Sequence, residues 1–243
     1  MSVLTAATVD DYTHAFDRER GQWYPTVAAF EQRCGYAVDR DRLESAARVL
    51  ACPVKAAPPN WQHGRVLYAV TRHYLAMYPD VSVCRTLDIG TAKGFSALCL
   101  WWAVHDAGRV ADAYSVDVID PGARVRRNTV AEVDGLRTVP ELVTPWPDAA
   151  GDIAWWCMTG VEFLRSCTDR IHVAFVDGKH TGDVVRREGR LLAMHQHPGD
   201  VVVFDDVQIP GVRAAVGTLR QYAVEYLSVL PTRVYAIARR VRW

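Results

Sequence analysis

The sequence predicts an α/β protein built on a doubly wound, mainly parallel sheet. Between residues 81 and 219, short apolar runs alternate with helix-compatible segments, which is the pattern of consecutive strand–helix–strand units. The last two apolar runs, 225–230 and 233–241, are separated only by Pro231-Thr232 and predict an antiparallel hairpin at the end of the sheet. Residues 1–59 show no strand pattern, so we expect an N-terminal helical appendage.

The composition is that of an ordinary globular protein and excludes several functional classes. The chain has 243 residues, of which 50% are hydrophobic and 23% are charged, enough for one sizeable core. Its formal net charge is zero, so we expect neither nucleic acid nor a membrane among its partners. No apolar run is long enough to cross a bilayer, and the charged N-terminus is unlike a signal peptide. Six cysteines without a C-x-x-C pair indicate free thiols and a cytoplasmic protein.

The first 59 residues are expected to form a separate appendage, or lid, on a main domain that spans residues 60–243. Helical segments are predicted at 9–20, 26–33 and 42–51, and prolines at 53, 58 and 59 mark the boundary. Trp23 and Tyr24 could cover a substrate, although each is more readily explained by packing onto the main domain. A helix over 61–78, with apolar residues at helical spacing, should open that domain.

The segment from Asp88 to Ser96 is the motif around which the main domain is organised. An apolar run over 81–87 ends in Asp88, a glycine turn follows, and an apolar helical segment continues to Val104. This order predicts a strand, a ligand-binding loop and a helix whose free N–H groups attract an anionic group. Gly90 and Gly94 permit backbone conformations and close approaches that a side chain would block. Their spacing differs from the G-x-G-x-x-G pattern of dinucleotide-binding loops.

The remaining elements alternate regularly along the chain. Strands are predicted at 111–116, 153–158, 171–176 and 201–204, and helices at 121–133, 161–167, 181–195 and 210–219. The stretch 135–151, which contains three prolines, is expected to be an irregular functional loop. Because strands alternate with helices, the strands should run parallel and carry helices on both faces of the sheet.

Four of the predicted strands end in aspartate, at Asp88, Asp117, Asp177 and the pair Asp205-Asp206. Ligands bind at the carboxyl ends of parallel strands, so these side chains should line one crevice. Asp117 lies where nucleotide-binding sheets place an acid on ribose hydroxyls, with Asp120 as the second candidate. Asp177 and the Asp205-Asp206 pair have no cluster of basic residues beside them in the sequence. They therefore predict a site for a hard divalent cation such as Mg²⁺.

These motifs resemble those of class I S-adenosylmethionine-dependent methyltransferases. The pattern Asp88-x-Gly90-x-x-x-Gly94, followed by Phe-Ser, is similar to the first motif of their metal-dependent O-methyltransferase branch. Segments 175–180 and 203–206 resemble the metal-site motifs of that branch, which includes catechol, caffeoyl-coenzyme A and antibiotic-sugar O-methyltransferases. The resemblance covers about residues 60–243 and implies a Rossmann-like fold with S-adenosylmethionine and Mg²⁺ as cofactors.

The resemblance also implies a role for each matching residue. Contacts with S-adenosylmethionine would come from Asp88, Gly90, Thr91, Ala92, Gly94, Ser96, Asp117, Thr159 and Gly160. Ser96 matches the position that often holds the methionine carboxylate, and the adenine would lie near Thr159, against Trp155 or Trp156. Mg²⁺ would be held by Asp177, Asp205 and Asp206, although many relatives carry Asn or Glu at one of the last two positions. His180 matches the general base, with Lys179 as the alternative.

Together these features predict a Mg²⁺-dependent O-methyltransferase that acts on a hydroxyl of a small molecule such as a diol, a phenol or a sugar. A nicotinamide-dependent oxidoreductase on a similar sheet is one alternative, which the glycine spacing and the absence of a Tyr-x-x-x-Lys pair disfavour. A non-catalytic module that retains the cofactor pocket is another, which the presence of His180 among the acidic residues disfavours. The sequence is compatible with a homo-oligomer.

Overall fold

A seven-stranded sheet forms the centre of the computed structural model, which describes residues 8–51, 60–230 and 232–241. The strands are β1 (Val83–Ile89), β2 (Val110–Asp117), β3 (Ile153–Cys157), β4 (Val173–Val176), β5 (Val201–Phe204), β6 (Tyr222–Leu230) and β7 (Arg233–Arg240). Their order across the sheet is β3-β2-β1-β4-β5-β7-β6. Strands β1 to β5 pair in parallel, whereas β7 is antiparallel to both β5 and β6. The predicted doubly wound sheet with a terminal antiparallel hairpin is confirmed.

Helices cover both faces of this sheet. They are α1 (Val9–Arg20), α2 (Pro25–Cys34), α3 (Arg40–Leu50), α4 (Gln62–Met77), α5 (Phe95–His105), α6 (Val139–Val143), α7 (Pro147–Asp152), α8 (Gly160–Ser166), α9 (Gly182–Leu192) and α10 (Pro210–Gly217). Helices α4 and α5 pack on one face, and α8, α9 and α10 pack on the other. Strand β4 is buried on both faces, which explains why its sequence is continuously apolar. Val173 and Phe175 face α4, while Ala174 and Val176 face the opposite layer.

The N-terminal helices share the core of the sheet. Tyr24, Val27 and Phe30 belong to the same apolar cluster as the inner face of α4, and Phe16 of α1 stacks on Trp61 with ring centroids 5.2 Å apart. Tyr24 is buried and its hydroxyl donates a hydrogen bond to Glu19, whereas Trp23 is 73% exposed. Packing therefore accounts for Tyr24. The proposed boundary at the prolines lies in residues 52–59, outside the described residues, so the division into two domains stays a prediction.

The helix predicted over 121–133 is wrong. In the structure this segment consists of a turn and irregular backbone, with only a short 3₁₀ helix at Val130–Glu132. The segment has no apolar stripe to bury, and Asn128 adopts a left-handed conformation with φ of 54°. The following stretch, 135–151, was expected to be irregular but contains α6 and α7. Each of these helices has a proline at its first turn, where the missing N–H is harmless, and buries apolar side chains.

Five cysteines lie in the described residues, and none of them forms a disulfide bond. Cys34, Cys84 and Cys99 are buried free thiols, and Cys157 and Cys167 are unpaired as well. None of the described helices combines the length and the apolar content that crossing a bilayer requires.

A buried ion pair joins the sheet to α4 at the edge opposite the carboxyl ends of the parallel strands. The Asp200 carboxylate is fully buried just before β5. It accepts hydrogen bonds from Arg170 Nε and Nη2, at 2.9 and 2.8 Å, and from the Tyr74 hydroxyl of α4 at 2.9 Å. Every partner in this network would lose its acceptor if the carboxylate were removed.

We predict that Asp200→Ala lowers the free energy of unfolding by about 3 kcal/mol, because Arg170 and Tyr74 would be left without their acceptor. Urea denaturation followed by circular dichroism measures the change. Asp183→Ala is the control, since that carboxylate is exposed and pairs only with Arg186 on the surface. Equal effects of the two substitutions would contradict the structural role of Asp200.

Candidate active site

A cavity of about 1020 Å³ opens at the carboxyl ends of the parallel strands. Most of the residues that the sequence singled out line it: Gly90, Ala92, Asp117, Thr159, Gly160, Asp177, His180 and Asp206. Apolar side chains from the strand ends, among them Ile89, Val116 and Met158, form much of the remaining wall. The cavity therefore lies at the edge where a parallel sheet binds its ligands.

Gly90 brings the end of β1 against the end of β4. Its φ is 106°, and a Cβ atom at this position would overlap the carbonyl oxygen of Asp177. The Gly90 N–H donates to the carbonyl of Val116 at 2.8 Å, which closes the turn onto β2. Both the backbone conformation and the lack of space require glycine here. The expected close approach is thus made to the neighbouring strand, directly beside an acidic site residue.

Asp117 fastens the glycine loop to the end of β2. One of its carboxylate oxygens accepts the N–H of Ala92 at 2.9 Å, and the other accepts the N–H of Ile119 at 2.9 Å. Ala92 has a φ of 46°, and its carbonyl accepts a hydrogen bond from Arg127 Nη1 at 2.8 Å. Each oxygen of Asp117 retains a second lone pair for a ligand. Arg127 was not identified from the sequence, because it lies in the segment wrongly predicted to be helical.

Asp88 lies beneath the loop and does not line the cavity. Its carboxyl group is fully buried and accepts a hydrogen bond from Ser115 at 2.8 Å, and Ser115 in turn contacts the Thr91 hydroxyl at 2.7 Å. Burial raises the pKa of Asp88 to about 7, although the Ser96 and Ser115 hydroxyls partly oppose this rise. Thr91 and Ser96 are also buried. These three residues support the loop from below.

Gly94 and the two tryptophans of β3 do not line the cavity. Gly94, with φ of 88°, precedes α5, and a Cβ atom there would lie 3.1 Å from the indole of Trp155. Trp155 therefore packs beneath the loop, while Trp156 is 43% exposed beside Phe163. Neither indole lines the cavity. Asp120, the second candidate for the ribose, is exposed and accepts the N–H of Gly122.

Thr159 and Gly160 form the turn between β3 and α8. The Thr159 hydroxyl accepts the N–H of Glu162 at 3.1 Å, and Glu162 bonds back to Thr159, which is a capping box. A Cβ atom on Gly160 would lie 2.6 Å from Oε1 of Glu188, a residue of α9. Glu188 was not identified from the sequence, because its place in the chain gives no sign that it meets this turn.

Asp177, His180 and Asp206 form the acidic group of the cavity. One potential ligand atom from each lies within 4.8 Å of the others. His180 Nδ1 contacts Asp206 Oδ2 at 2.9 Å, and its Nε2 lies 3.9 Å from Asp177 Oδ1. The hydrogen bond to Asp206 raises the pKa of His180, and the same bond lowers that of Asp206 to about 2. Burial, followed by the neighbouring carboxylates, raises the pKa of Asp177.

Asp205 is not part of this group, contrary to the expected set of three carboxylates. Its side chain is 1% exposed and bonds to Arg233 Nη1 at 2.6 Å and to the N–H of Asp206 at 2.6 Å. Arg233 also lies 3.3 Å from Asp206 Oδ1. The sequence around these acids has no cluster of basic residues, but the fold brings one arginine to them. Arg233 begins β7, and only the pairing of β7 with β5 brings it to this edge.

Comparison with known proteins shows similarity to methyltransferases. A sequence profile described as a methyltransferase domain matches residues 87–207. The fold is similar to that of the O-methyltransferase TomG from Streptomyces achromogenes, involved in tomaymycin synthesis and solved with S-adenosylmethionine. The two are 17% identical, with a TM-score of 0.59 over 92% of this chain and 99% of that one. A search of curated proteins found no match.

Two further structures share the fold. Cofactor-bound Rv0187 from MTB is 16% identical, with a TM-score of 0.53 over 98% of this chain and 99% of that one. An rRNA methylase from Streptococcus thermophilus is 10% identical, with a TM-score of 0.52 over 73% of this chain and 96% of that one. At such identities these likenesses show a common fold.

We predict that Gly90→Ala lowers the free energy of unfolding by about 2–4 kcal/mol, because the new methyl group combines backbone strain with overlap on Asp177. Gly108→Ala is the matched control. Gly108 has a φ of 67° but open space around it, so only the strain, about 1 kcal/mol, should be observed. Urea denaturation measures both changes. A Gly90 variant no less stable than the Gly108 variant would contradict the close contact.

We predict a pH-dependent stability effect at Glu188. Burial raises its pKa from 4.5 to about 7, so the folded state keeps a proton that the unfolded state releases. The free energy of unfolding therefore falls as the pH rises from 4.5 to 7, by up to about 3 kcal/mol. Glu188→Gln should remove the cost, becoming more stable relative to the wild type as the pH increases. Unfolding measured at about pH 4.5 and about pH 8 tests this; a constant difference would contradict the raised pKa.

Proposed function

We propose a specific activity for this chain, which belongs to the methyltransferase domain family over residues 87–207 and is an S-adenosylmethionine-dependent methyltransferase. It transfers the methyl group to a hydroxyl oxygen of a small molecule, a diol, a phenol or a sugar, in a Mg²⁺-dependent reaction. The observation that carries the proposal is that Asp177, His180 and Asp206 share one cavity with the glycine loop. The family match argues against the nicotinamide-dependent alternative, and the zero net charge disfavours a nucleic-acid substrate.

The residues on the cavity wall suit S-adenosylmethionine. The loop from Gly90 to Gly94 would receive the methionine part, Asp117 would accept the ribose hydroxyls, and the turn at Thr159 would border the adenine. In support, Gly90, Asp117 and Thr159 all line the same cavity, and the loop is held in place from below by buried Asp88. Bound in this way, the cofactor supplies an electrophilic methyl group on its sulfonium.

Asp177 and Asp206 also fit a divalent cation. Their oxygens lie close together in a partly buried site, and burial and neighbouring carboxylates raise the pKa of Asp177. A cation would relieve this crowding, and Mg²⁺ commonly uses only one or two protein carboxylates. Mg²⁺, when bound there, supplies positive charge that favours ionisation of a nearby substrate hydroxyl. Asp205 would remain with Arg233 and balance the site without acting as a ligand.

His180 is placed to act as the general base. Its Nδ1 is directed at Asp206 at 2.9 Å, which orients the ring and leaves Nε2 to take the hydroxyl proton. His180 is half-exposed at the cavity, as a base that must meet a substrate should be. Lys179 also lines the cavity and is the alternative base. Transfer then needs only an aligned oxygen and methyl group, so positioning by the cavity wall contributes most of the rate.

We predict that Asp177→Asn lowers the turnover number by roughly 100-fold or more, because the substituted side chain loses the charge that holds the cation. Mass spectrometry of products from a panel of catechols, phenols and sugars, with S-adenosylmethionine, measures activity. Asp183→Asn, on the surface of α9, is the control variant. Activity that resists both a chelator and Asp177→Asn would contradict the metal dependence.

Binding measurements separate the two cofactors in this proposal. S-adenosylhomocysteine should bind the wild type and Asp177→Asn with dissociation constants that differ by less than roughly threefold. Mn²⁺, used as a paramagnetic substitute, should bind the wild type and be lost from Asp177→Asn in electron paramagnetic resonance. NADH is the negative control in calorimetry. Retention of Mn²⁺ at full affinity by the variant would remove Asp177 from the metal site.

For His180→Ala we predict a fall in the turnover number of roughly 100-fold, with S-adenosylhomocysteine binding unchanged. Lys179→Ala, measured in the same assay, tests the alternative base. A larger loss in the Lys179 variant than in the His180 variant would assign the proton transfer to Lys179.

A further inference from the structure

One carboxyl oxygen of Glu188 is buried in the cavity wall without a hydrogen-bond partner among the described residues. Glu188 is 2% exposed, yet its side chain lines the cavity. Its Oε2 atom has no hydrogen-bond partner in the described part of the chain. Arg165 and Arg187 also line the cavity, but neither of them forms an ion pair or a hydrogen bond with the Glu188 carboxyl group. A buried carboxyl group that lacks partners costs free energy, so its presence calls for a ligand.

The surroundings of Glu188 restrict what that ligand can be. Its Oε1 atom reaches the turn at Gly160, where a Cβ atom would lie 2.6 Å away. Ile89, Met158 and Val161 supply apolar surface near this turn, and the charged side chains of Glu162 and Arg165 also line the cavity. A ligand that fits this part of the cavity combines an apolar portion with a hydrogen-bond donor on its edge. Adenine has this character, because its faces are aromatic and its exocyclic amine is a donor.

We propose that Glu188 accepts a hydrogen bond from the exocyclic amine of the adenine of S-adenosylmethionine and so makes the cavity selective for adenine. The inference rests on the proposed function, which borders the adenine with the Thr159–Gly160 turn. Hypoxanthine has a carbonyl oxygen in place of the amine, and this acceptor would face the acceptor oxygens of an ionised Glu188. Selectivity therefore arises from the repulsion of hypoxanthine as well as from the attraction of adenine.

The test compares two ligands by calorimetry at about pH 8, where Glu188 is mostly ionised. One is S-adenosylhomocysteine, and the other is its hypoxanthine analogue, in which a carbonyl replaces the amine. The wild type should bind the adenine form at least roughly tenfold more tightly. Glu188→Gln, whose amide can donate or accept, should reduce this ratio to less than roughly threefold. Glu188→Leu should also lose the preference, because it offers no polar group.

The outcomes distinguish the inference from the proposed function. Glu225→Gln, an exposed glutamate on β6, is the control and should keep the wild-type ratio. Normal binding of S-adenosylhomocysteine with an unchanged ratio in both Glu188 variants would overturn the role of Glu188 alone. No binding of S-adenosylhomocysteine by the wild type would overturn the cofactor assignment and the role of Glu188 with it. Circular dichroism confirms that each variant is folded.

Discussion

The ion pair between Arg233 and Asp205 sets the charge balance of the whole crevice. Parallel strands end at a common edge, so the acids that follow β4 and β5 are forced together in a partly buried place. One arginine, which lies within hydrogen-bond distance of both Asp205 and Asp206, offsets part of this charge. Asp206 is thereby free to orient His180. The antiparallel hairpin therefore also contributes to the site, because β7 carries Arg233, whose positive charge partly offsets the acidic residues.

Close contacts at two glycines place the loops around the cavity. Gly90 lets the first loop rest on the end of β4, next to Asp177, and Gly160 lets the turn after β3 receive Glu188. A side chain at either glycine would push the two elements apart. The absence of a side chain at these two glycines therefore shapes the cavity as much as the side chains that line it. This shape holds the glycine loop and the acidic group in one fixed relation, which the proposed reaction needs for positioning.

The acids at the strand ends differ in their roles because they differ in burial. Asp88 is sealed under the loop and stabilises it, whereas Asp117 ties the loop to β2 and still faces the cavity. Asp177 is partly accessible, which the proposed cation site requires, and Asp205 forms an ion pair with Arg233. One repeated sequence pattern, an apolar strand followed by aspartate, thus places its carboxylates in four different environments. Their distinction depends on the neighbours that each carboxylate meets.

Local patterns in the sequence determined the fold and the place of the site. Apolar alternation predicted the sheet, the glycine spacing predicted the loop, and the acids at the strand ends predicted the crevice, because each signal depends on residues close together in the chain. Only the tertiary structure decided which charges meet. Arg233 and Glu188 reach the crevice through strand pairing and helix packing, and no local pattern marks them. The helix predicted at 121–133 is absent because the segment has no apolar stripe to bury and because its hydrogen bonds run to distant residues, from Arg127 to Ala92 and from Thr129 to Val49.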